Sequence, residues 1–544
     1  MAKLATAVGN TLAEGGVRHA FGVVGGGNIL AVAGLTDAGV NYVAARHEGG
    51  AIAMADAYHR VSGEVAVCTG SHGPGMTNLV TGLAEAAKHG SGVLVLVGDA
   101  PTTGPRRNDV DQTAIAEGAG AEVVRLADPT TARADTARAL QLARTRRCPV
   151  LLCLPNDLLG VEVPDGPVSW AEPVVEPVPV GDLSPVLDAL AGARRPLLLA
   201  GLGAWRSDSG KSIVDLGDRL GALYATTAMA NGLFAGNPWS LGICGGFTWP
   251  AATEFFGRAD VVVVFGASLD VFTLHGGRLL DADATVIQVD IDAPPTADRV
   301  DLAVTGDASA VATGLLDGLD ARGARSSSWR TEVEDELATL DGGRRDHVDE
   351  STTDRIDPRT VTKELAPLLP AERTLVLDGG HFIAWPTMYW PVADPAAMVF
   401  LGAASQSIGM GFAGAVGAVC GRTDRTTVVA LGDGGALMGL SELDTLVRTA
   451  DSVLVVIYDD AAYGFEGHLY GPQGADLRTV EFDETDFAGI ATALGAQAST
   501  VRVPADLAEV RAWLADGAAG TFVLDCKVVP EVIAHFLEDL ISGH

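Results

Sequence analysis

The feature that most constrains this chain is a repeated alternation. Short, continuous apolar runs such as VLVLVG (93–98), VLLCLP (150–155), PLLLAG (196–201), VVVVFG (261–266), VIQVDI (286–291), TVVAL (427–431) and VLVVIY (453–458) are separated by longer Ala/Leu-rich stretches of helical period. A strand alternating apolar and polar residues has one wet face, whereas a continuously apolar strand is buried on both. The pattern therefore predicts parallel sheets covered by helices on either side. Two seams interrupt it, a Pro- and acid-rich stretch at 161–182 and a charged, Ser/Gly-containing stretch at 320–357. Cutting there gives three α/β units, 1–170, 182–330 and 355–535, each expected to be a doubly wound parallel sheet.

Hydrophobic residues make up 48% of the 544 residues and charged residues 19%, enough apolar material for several cores. The formal charge of −32 opposes binding to phosphate backbones or anionic lipid surfaces, so neither nucleic acid nor a membrane is an expected partner. Six cysteines without a CxxC pair read as reduced core thiols, which suits a cytoplasmic enzyme. Glu14 and nearby glycines break the apolar core a secretory signal would need, and no window is long and apolar enough to span a bilayer.

Glycine clusters mark the ends of strands in the outer units: GVVGGGN and GSHGPGMTN in the first, LDGGH and LGDGG in the third. Ligands of open parallel sheets bind outside these carboxyl ends. The middle unit carries AGLGAW (200–205), which lacks the third glycine of a dinucleotide fingerprint and is a weak basis for FAD or another nucleotide. The most informative segment runs from Leu431 to Gly464. A strand breaks into Gly432-Asp433-Gly434-Gly435, a helix follows, and a second strand ends at Asp459-Asp460. Glycines admit a diphosphate to a helix N-terminus, and a carboxylate in the same turn can hold Mg²⁺ against it.

Asp460 follows Asp433 by 27 residues, and this spacing resembles the thiamine-diphosphate motif that opens with GDG and closes with two asparagines. The chain looks like a member of the thiamine-diphosphate-dependent family of acetolactate synthase, benzoylformate decarboxylase and pyruvate decarboxylase. That resemblance implies a pyrimidine-binding first unit, a middle unit and a diphosphate-binding third unit, with homodimers or homotetramers sharing sites between subunits. Asp433, Asp460 and the Ala462 carbonyl would ligate Mg²⁺, with Gly432, Gly434, Gly435, Tyr463 and Gly464 around the diphosphate and His381 nearby. The pair Asp459-Asp460 departs from the usual asparagines, and its extra charge should either tighten the metal or weaken the cofactor.

The same resemblance makes Glu48, in ARHEGGAIAMADAYHRVSG, the acid that hydrogen-bonds the aminopyrimidine N1′. In LGAASQSIGMGFAGAVGA it puts Ile408 between the cofactor's two rings and the Gln406 carbonyl on its 4′-amino group. His72, beside the Gly73-Pro74-Gly75 turn, could face substrate. Glu466, six residues after Asp460, stands where decarboxylases carry the acid that returns a proton after carbon dioxide leaves. Arg106 and Arg107 could clamp an anionic substrate group, and His275 could enter from the middle unit. The expected activity is decarboxylation of a 2-oxo acid with aldehyde release or carboligation. Acetolactate synthase proper and a non-catalytic scaffold of the same fold are the alternatives.

Overall fold

The computed structural model describes residues 2–164, 166, 168, 170, 177–292, 295, 297–343 and 347–541. Three six-stranded, all-parallel sheets follow one another along the chain. The first contains β1 (His19–Gly22), β2 (Asn41–Ala44), β3 (Ala66–Gly70), β4 (Val93–Asp99), β5 (Glu122–Arg125) and β6 (Val150–Pro155). The second contains β7 (Pro196–Ala200), β8 (Leu223–Thr226), β9 (Ser240–Ile243), β10 (Val261–Phe265), β11 (Thr285–Asp290) and β12 (Leu302–Thr305). The third contains β13 (Arg373–Leu377), β14 (Met398–Phe400), β15 (Thr426–Gly432), β16 (Ser452–Asp459), β17 (Gln497–Val501) and β18 (Gly520–Lys527). Their central strands β4, β10 and β16 are buried along their apolar runs, with only Ser452 at the start of β16 partly exposed, and apolar clusters cover both faces of each sheet.

Strand order separates the units. The outer sheets share one order, β2-β1-β3-β4-β6-β5 and β14-β13-β15-β16-β18-β17, whereas the middle sheet runs β9-β8-β7-β10-β11-β12. In both outer sheets the chain winds in opposite directions from the pair formed by the first and third strands, which opens a crevice at their carboxyl ends. Those ends carry the glycine clusters.

The helices that bear on the site are α1 (Glu48–Ser62), α2 (Val80–His89), α3 (Gly411–Gly421), α4 (Asp433–Met438), α5 (Ser441–Thr449), α6 (Gly464–Tyr470) and α7 (His535–Ile541). Helices α1 and α3, each lying between the second and third strands of its sheet, pack against one another and join the outer units through one apolar cluster. Small residues set how close they come: a Cβ on Gly417 would lie 2.1 Å from the Met54 carbonyl oxygen, and one on Gly421 2.5 Å from a Val61 methyl.

The first seam lies partly outside the described residues. The second is more structured than its charge suggests, since Trp329–Gly343 form a helix. Trp329, Val333, Leu337 and Leu340 pack on the middle sheet, an apolar stripe at helical spacing that interleaved acids obscure in the sequence. The glycines of AGLGAW serve packing too: a Cβ on Gly201 would strike Ala267, and one on Gly203 would strike Gly266.

Candidate active site

In the third unit, the carboxyl ends of β13 and β15 are each followed by a buried aspartate. Asp378 follows β13, is fully buried, and accepts hydrogen bonds from the amides of Gly379, Gly409 and Met410 at 2.9, 2.9 and 3.3 Å. Burial pushes its carboxyl up to about 6, against these bonds. Asp433 begins α4 directly after β15 and is 2% exposed, and its Oδ2 has no hydrogen-bond partner among the described residues. Burial, then the nearby Asp460 and Asp459 carboxylates, holds Asp433 far above the ordinary range, and Asp460 is raised as well. A buried carboxylate with an orphaned oxygen beside a second carboxylate calls for a cation.

Glycines let the surrounding side chains close in around these carboxylates. A Cβ on Gly434 would lie 2.5 Å from the Tyr463 ring, one on Gly435 2.8 Å from Asp378, and one on Gly464 2.4 Å from Asp460 Oδ2 and 2.7 Å from His381. Ala461, at φ 58°, turns the chain sharply after Asp460, and its amide donates to Asp459 at 3.1 Å. The Tyr463 amide donates to the Val480 carbonyl at 2.8 Å, and Ala462 is bridged to Glu481, so the turn carrying the candidate carbonyl ligand is stapled on its outer side. These donors and glycines fit Mg²⁺ and a diphosphate.

The charge of Asp459 is partly offset here. Its carboxylate lies 2.6 Å from the Lys527 ammonium, which also reaches Asp525 at 2.9 Å, and all three side chains are buried. Lys527, 68 residues downstream on β18, faces two carboxylates, so it offsets only part of the extra charge that Asp459 brings beside Asp460.

His381 is buried, with its ring 5.2 Å from that of His468 and 5.3 Å from Trp385. Burial, then His468, pulls its imidazole down to about 3, so it is neutral across the working range. Gln406 sits at φ 56° in the loop between β14 and α3, and Ile408 lies across from Gly379, where a Cβ would come within 2.8 Å of its methyl. Gly432, Gly434, Gly435, Asp433, Asp460, Ala462, Tyr463, Gly464, His381 and Ile408 thus share one crevice. Glu466 lies on α6, two residues past Gly464, and is exposed.

Glu48 belongs to the first unit's crevice. It opens α1 half-buried, accepts from the Asn78 side-chain Nδ2 at 3.0 Å, and lies over Gly70 and Gly75. His47 caps the helix by accepting from the Gly49 amide at 3.0 Å. The turn before it is gripped by the third unit: buried Glu442 of α5 accepts from the Arg46 and His47 amides at 3.0 and 2.8 Å. His72 is half-buried, and its Nδ1 has no hydrogen-bond partner among the described residues. Gly73, at φ 65°, donates to Gln112 Oε1 at 3.0 Å, and Gln112 reaches back to the Gly98 carbonyl at 2.9 Å. Arg106 is paired with Asp109 of its own exposed loop at 2.8 Å. His275 faces His535 of α7, ring centroids 6.1 Å apart. Sequence reading missed Asp378, Glu442, Gln112 and Lys527. Only Asp378 had a local signal, standing before two glycines at a strand end.

Two doubly wound units of one strand order, one presenting Glu48 at a helix start and the other a buried carboxylate pair, define an α/β protein whose candidate sites lie at the glycine-lined carboxyl ends of parallel strands. The comparisons agree. Residues 2–117 match the N-terminal TPP binding domain of thiamine pyrophosphate enzymes, residues 183–315 the central domain, and residues 378–526 the C-terminal TPP binding domain. The chain belongs to the thiamine pyrophosphate (thiamine diphosphate) enzyme family. It is 28% identical over 532 residues to a probable acetolactate synthase large subunit of Methanocaldococcus jannaschii, covering 93% of this chain and 89% of the relative. It is 28% identical over 524 residues to a sulfoacetaldehyde acetyltransferase of Castellaniella defragrans, covering 90% and 87%. With acetolactate synthase isozyme 3 large subunit of Escherichia coli the figures are 27% over 471 residues, 82% and 80%. Among the described residues no helix is long and apolar enough to cross a membrane.

Proposed function

We propose that this enzyme uses thiamine diphosphate and Mg²⁺ to decarboxylate a 2-oxo acid, then releases an aldehyde or joins the fragment to a second carbonyl. The observation that carries this reading is the buried Asp433 carboxylate, its Oδ2 unpartnered among the described residues, next to Asp460 inside a glycine cradle. Asp433, Asp460 and the Ala462 carbonyl would hold the metal, and Gly432, Gly434 and Gly435 would admit the diphosphate at the start of α4. Bound there, thiamine diphosphate supplies a nucleophilic ring carbon and a sink for the electron pair left by carbon dioxide. Glu48 would hold a proton at the pyrimidine nitrogen, and neutral His381 is suited to orient a substrate oxygen. Glu466 would return a proton to the product carbon once the second copy of the chain covers α6.

A homodimer or homotetramer is part of this proposal. Leu437 and Met438 at the end of α4, and Ile29 and Leu30 beyond the first glycine loop, are 39%, 56%, 52% and 50% exposed, an apolar rim around both crevices that a second copy would bury. Acetolactate or acyl-transfer chemistry is the second reading, supported by the names of the relatives above. The test is to supply purified protein, Mg²⁺ and thiamine diphosphate with a panel of 2-oxo acids, with and without acceptor aldehydes and phosphate. Carbon dioxide with an aldehyde or hydroxyketone is expected. An acetohydroxy acid or an acyl phosphate would favour the second reading, and no product from any acid would refute the decarboxylase proposal.

A further inference from the structure

The loop that carries Gln406 and Ile408 is held by a buried carboxylate from the other outer unit. Glu85 of α2 is fully buried. Its Oε2 accepts from the Ser405 amide at 2.8 Å and the Ser405 hydroxyl at 2.7 Å, and its Oε1 accepts from the Ala404 amide at 3.3 Å and Arg60 Nη2 at 3.0 Å. Arg60, on α1, spends its remaining donors on Asp56, at 2.9 and 2.6 Å, and on the Phe400 carbonyl at 2.9 Å, where β14 gives way to the loop. The loop is tight: Gly402 and Gln406 take positive φ, and the Ser407 amide closes back on the Gly402 carbonyl at 3.1 Å. On the opposite side, Asp378 fixes Gly409 and Met410. Without Glu85, two amides and a guanidinium at the domain boundary would lose their acceptor.

We propose that Glu85 is a positioning residue for the cofactor's rings: the first unit, through the Arg60–Glu85 pair, sets the backbone conformation of 404–408 in the third unit of the same chain, and so the placement of the Gln406 carbonyl and the Ile408 side chain. This rests on the reading that those two residues touch the rings, while Asp433 and Asp460 hold the diphosphate. A glutamine at 85 offers one acceptor oxygen and one NH₂ group, so it can satisfy Arg60 or Ser405 but must face the other with donors. The loop then relaxes while the metal clamp stays intact.

Calorimetric titration of thiamine diphosphate and of inorganic pyrophosphate, each with saturating Mg²⁺, separates rings from diphosphate. Glu85→Gln should weaken thiamine diphosphate by about tenfold or more, in keeping with the loss of hydrogen bonds to a charged group, while pyrophosphate affinity stays as in wild type. Ser405→Ala, which removes the hydroxyl's bonds to Glu85 and to Ser407 but keeps the Ser405 amide bond to Glu85, should move the same ratio in the same direction by less. An unchanged ratio in Ser405→Ala and in folded Glu85→Gln, or an equal loss for both ligands, would overturn the proposal. If wild type bound the two ligands equally, the ring contacts themselves would be wrong and the proposal would fall with them.

Discussion

Lys527 reaches Asp459 at 2.6 Å beneath the turn that carries Asp460 and Ala462, a buried ion pair linking the ends of β16 and β18. Removing the lysine leaves two buried carboxylates, Asp459 and Asp525, without their cation, at a cost of about 3–5 kcal/mol. Lys527→Met should therefore lower stability by that order in chemical denaturation. Asp459→Asn added to it should restore part of the loss, because the asparagine oxygen can still accept from the Ala461 amide while Asp525 remains without its cation. A double variant no more stable than Lys527→Met would show that the pairing does not account for the aspartate.

The carboxylate pair makes metal binding and stability depend on pH with a definite sign. Burial and mutual repulsion raise Asp433 and Asp460 in the folded protein above their unfolded values. The metal-free fold thus binds more protons than the unfolded chain, and the stability these groups contribute is full at low pH and falls as pH rises from about 4 through the raised folded values. Mg²⁺ replaces the proton. Thermal melts should show a larger Mg²⁺-induced rise in Tm at pH 8 than at pH 5.5, and Asp433→Asn should flatten the difference. Equal shifts at both pH values would argue against the pair as the metal site.

Glu48 and Glu466 should fail differently. Glu48→Gln should slow hydrogen–deuterium exchange at the reactive ring carbon of bound cofactor and depress every product. Glu466→Gln should leave that exchange nearly normal and lower aldehyde release by about 10²–10⁴-fold, the usual contribution of a positioned acid. Rapid-quench NMR and product analysis report the two separately. Unchanged aldehyde output in Glu466→Gln would leave Glu466 as a surface residue of α6 and favour carboligation.

If a second copy completes each site, chains inactivated at different ends should rescue one another. Mixing Glu48→Gln with Asp433→Ala should regenerate activity through the one interface site in which both residues are intact. An active monomer by light scattering would contradict the shared site.

Much of this was legible in the sequence, for identifiable reasons. Buried parallel strands are written as continuous apolar runs, so the three sheets could be read from segments such as VVVVFG, and glycines at strand ends marked both crevices. The Asp433 and Asp460 pair was visible because its spacing spans one strand–helix–strand unit. What stayed hidden depends on residues distant in the chain. Lys527 is an ordinary basic residue until β18 pairs with β16 and brings it to Asp459. Glu85 reads as one acid in an amphipathic helix until α1 and α3 join the units and carry the 404–405 amides onto it. The helix Trp329–Gly343 was obscured because its charges outnumber its buried side chains. Periodicity reports which face is apolar, whereas a buried charge is explained only by its partner across the fold.

The central claim is that Asp433 and Asp460 hold thiamine diphosphate through Mg²⁺. Isothermal titration of the metal-free chain with thiamine diphosphate, with and without Mg²⁺, in wild type, Asp433→Ala and Asp460→Asn, tests it most directly. The account predicts one cofactor per chain, bound only when Mg²⁺ is present, abolished in Asp433→Ala and retained in Asp460→Asn, whose amide oxygen is still a metal ligand. Undiminished, Mg²⁺-dependent affinity in Asp433→Ala would contradict it.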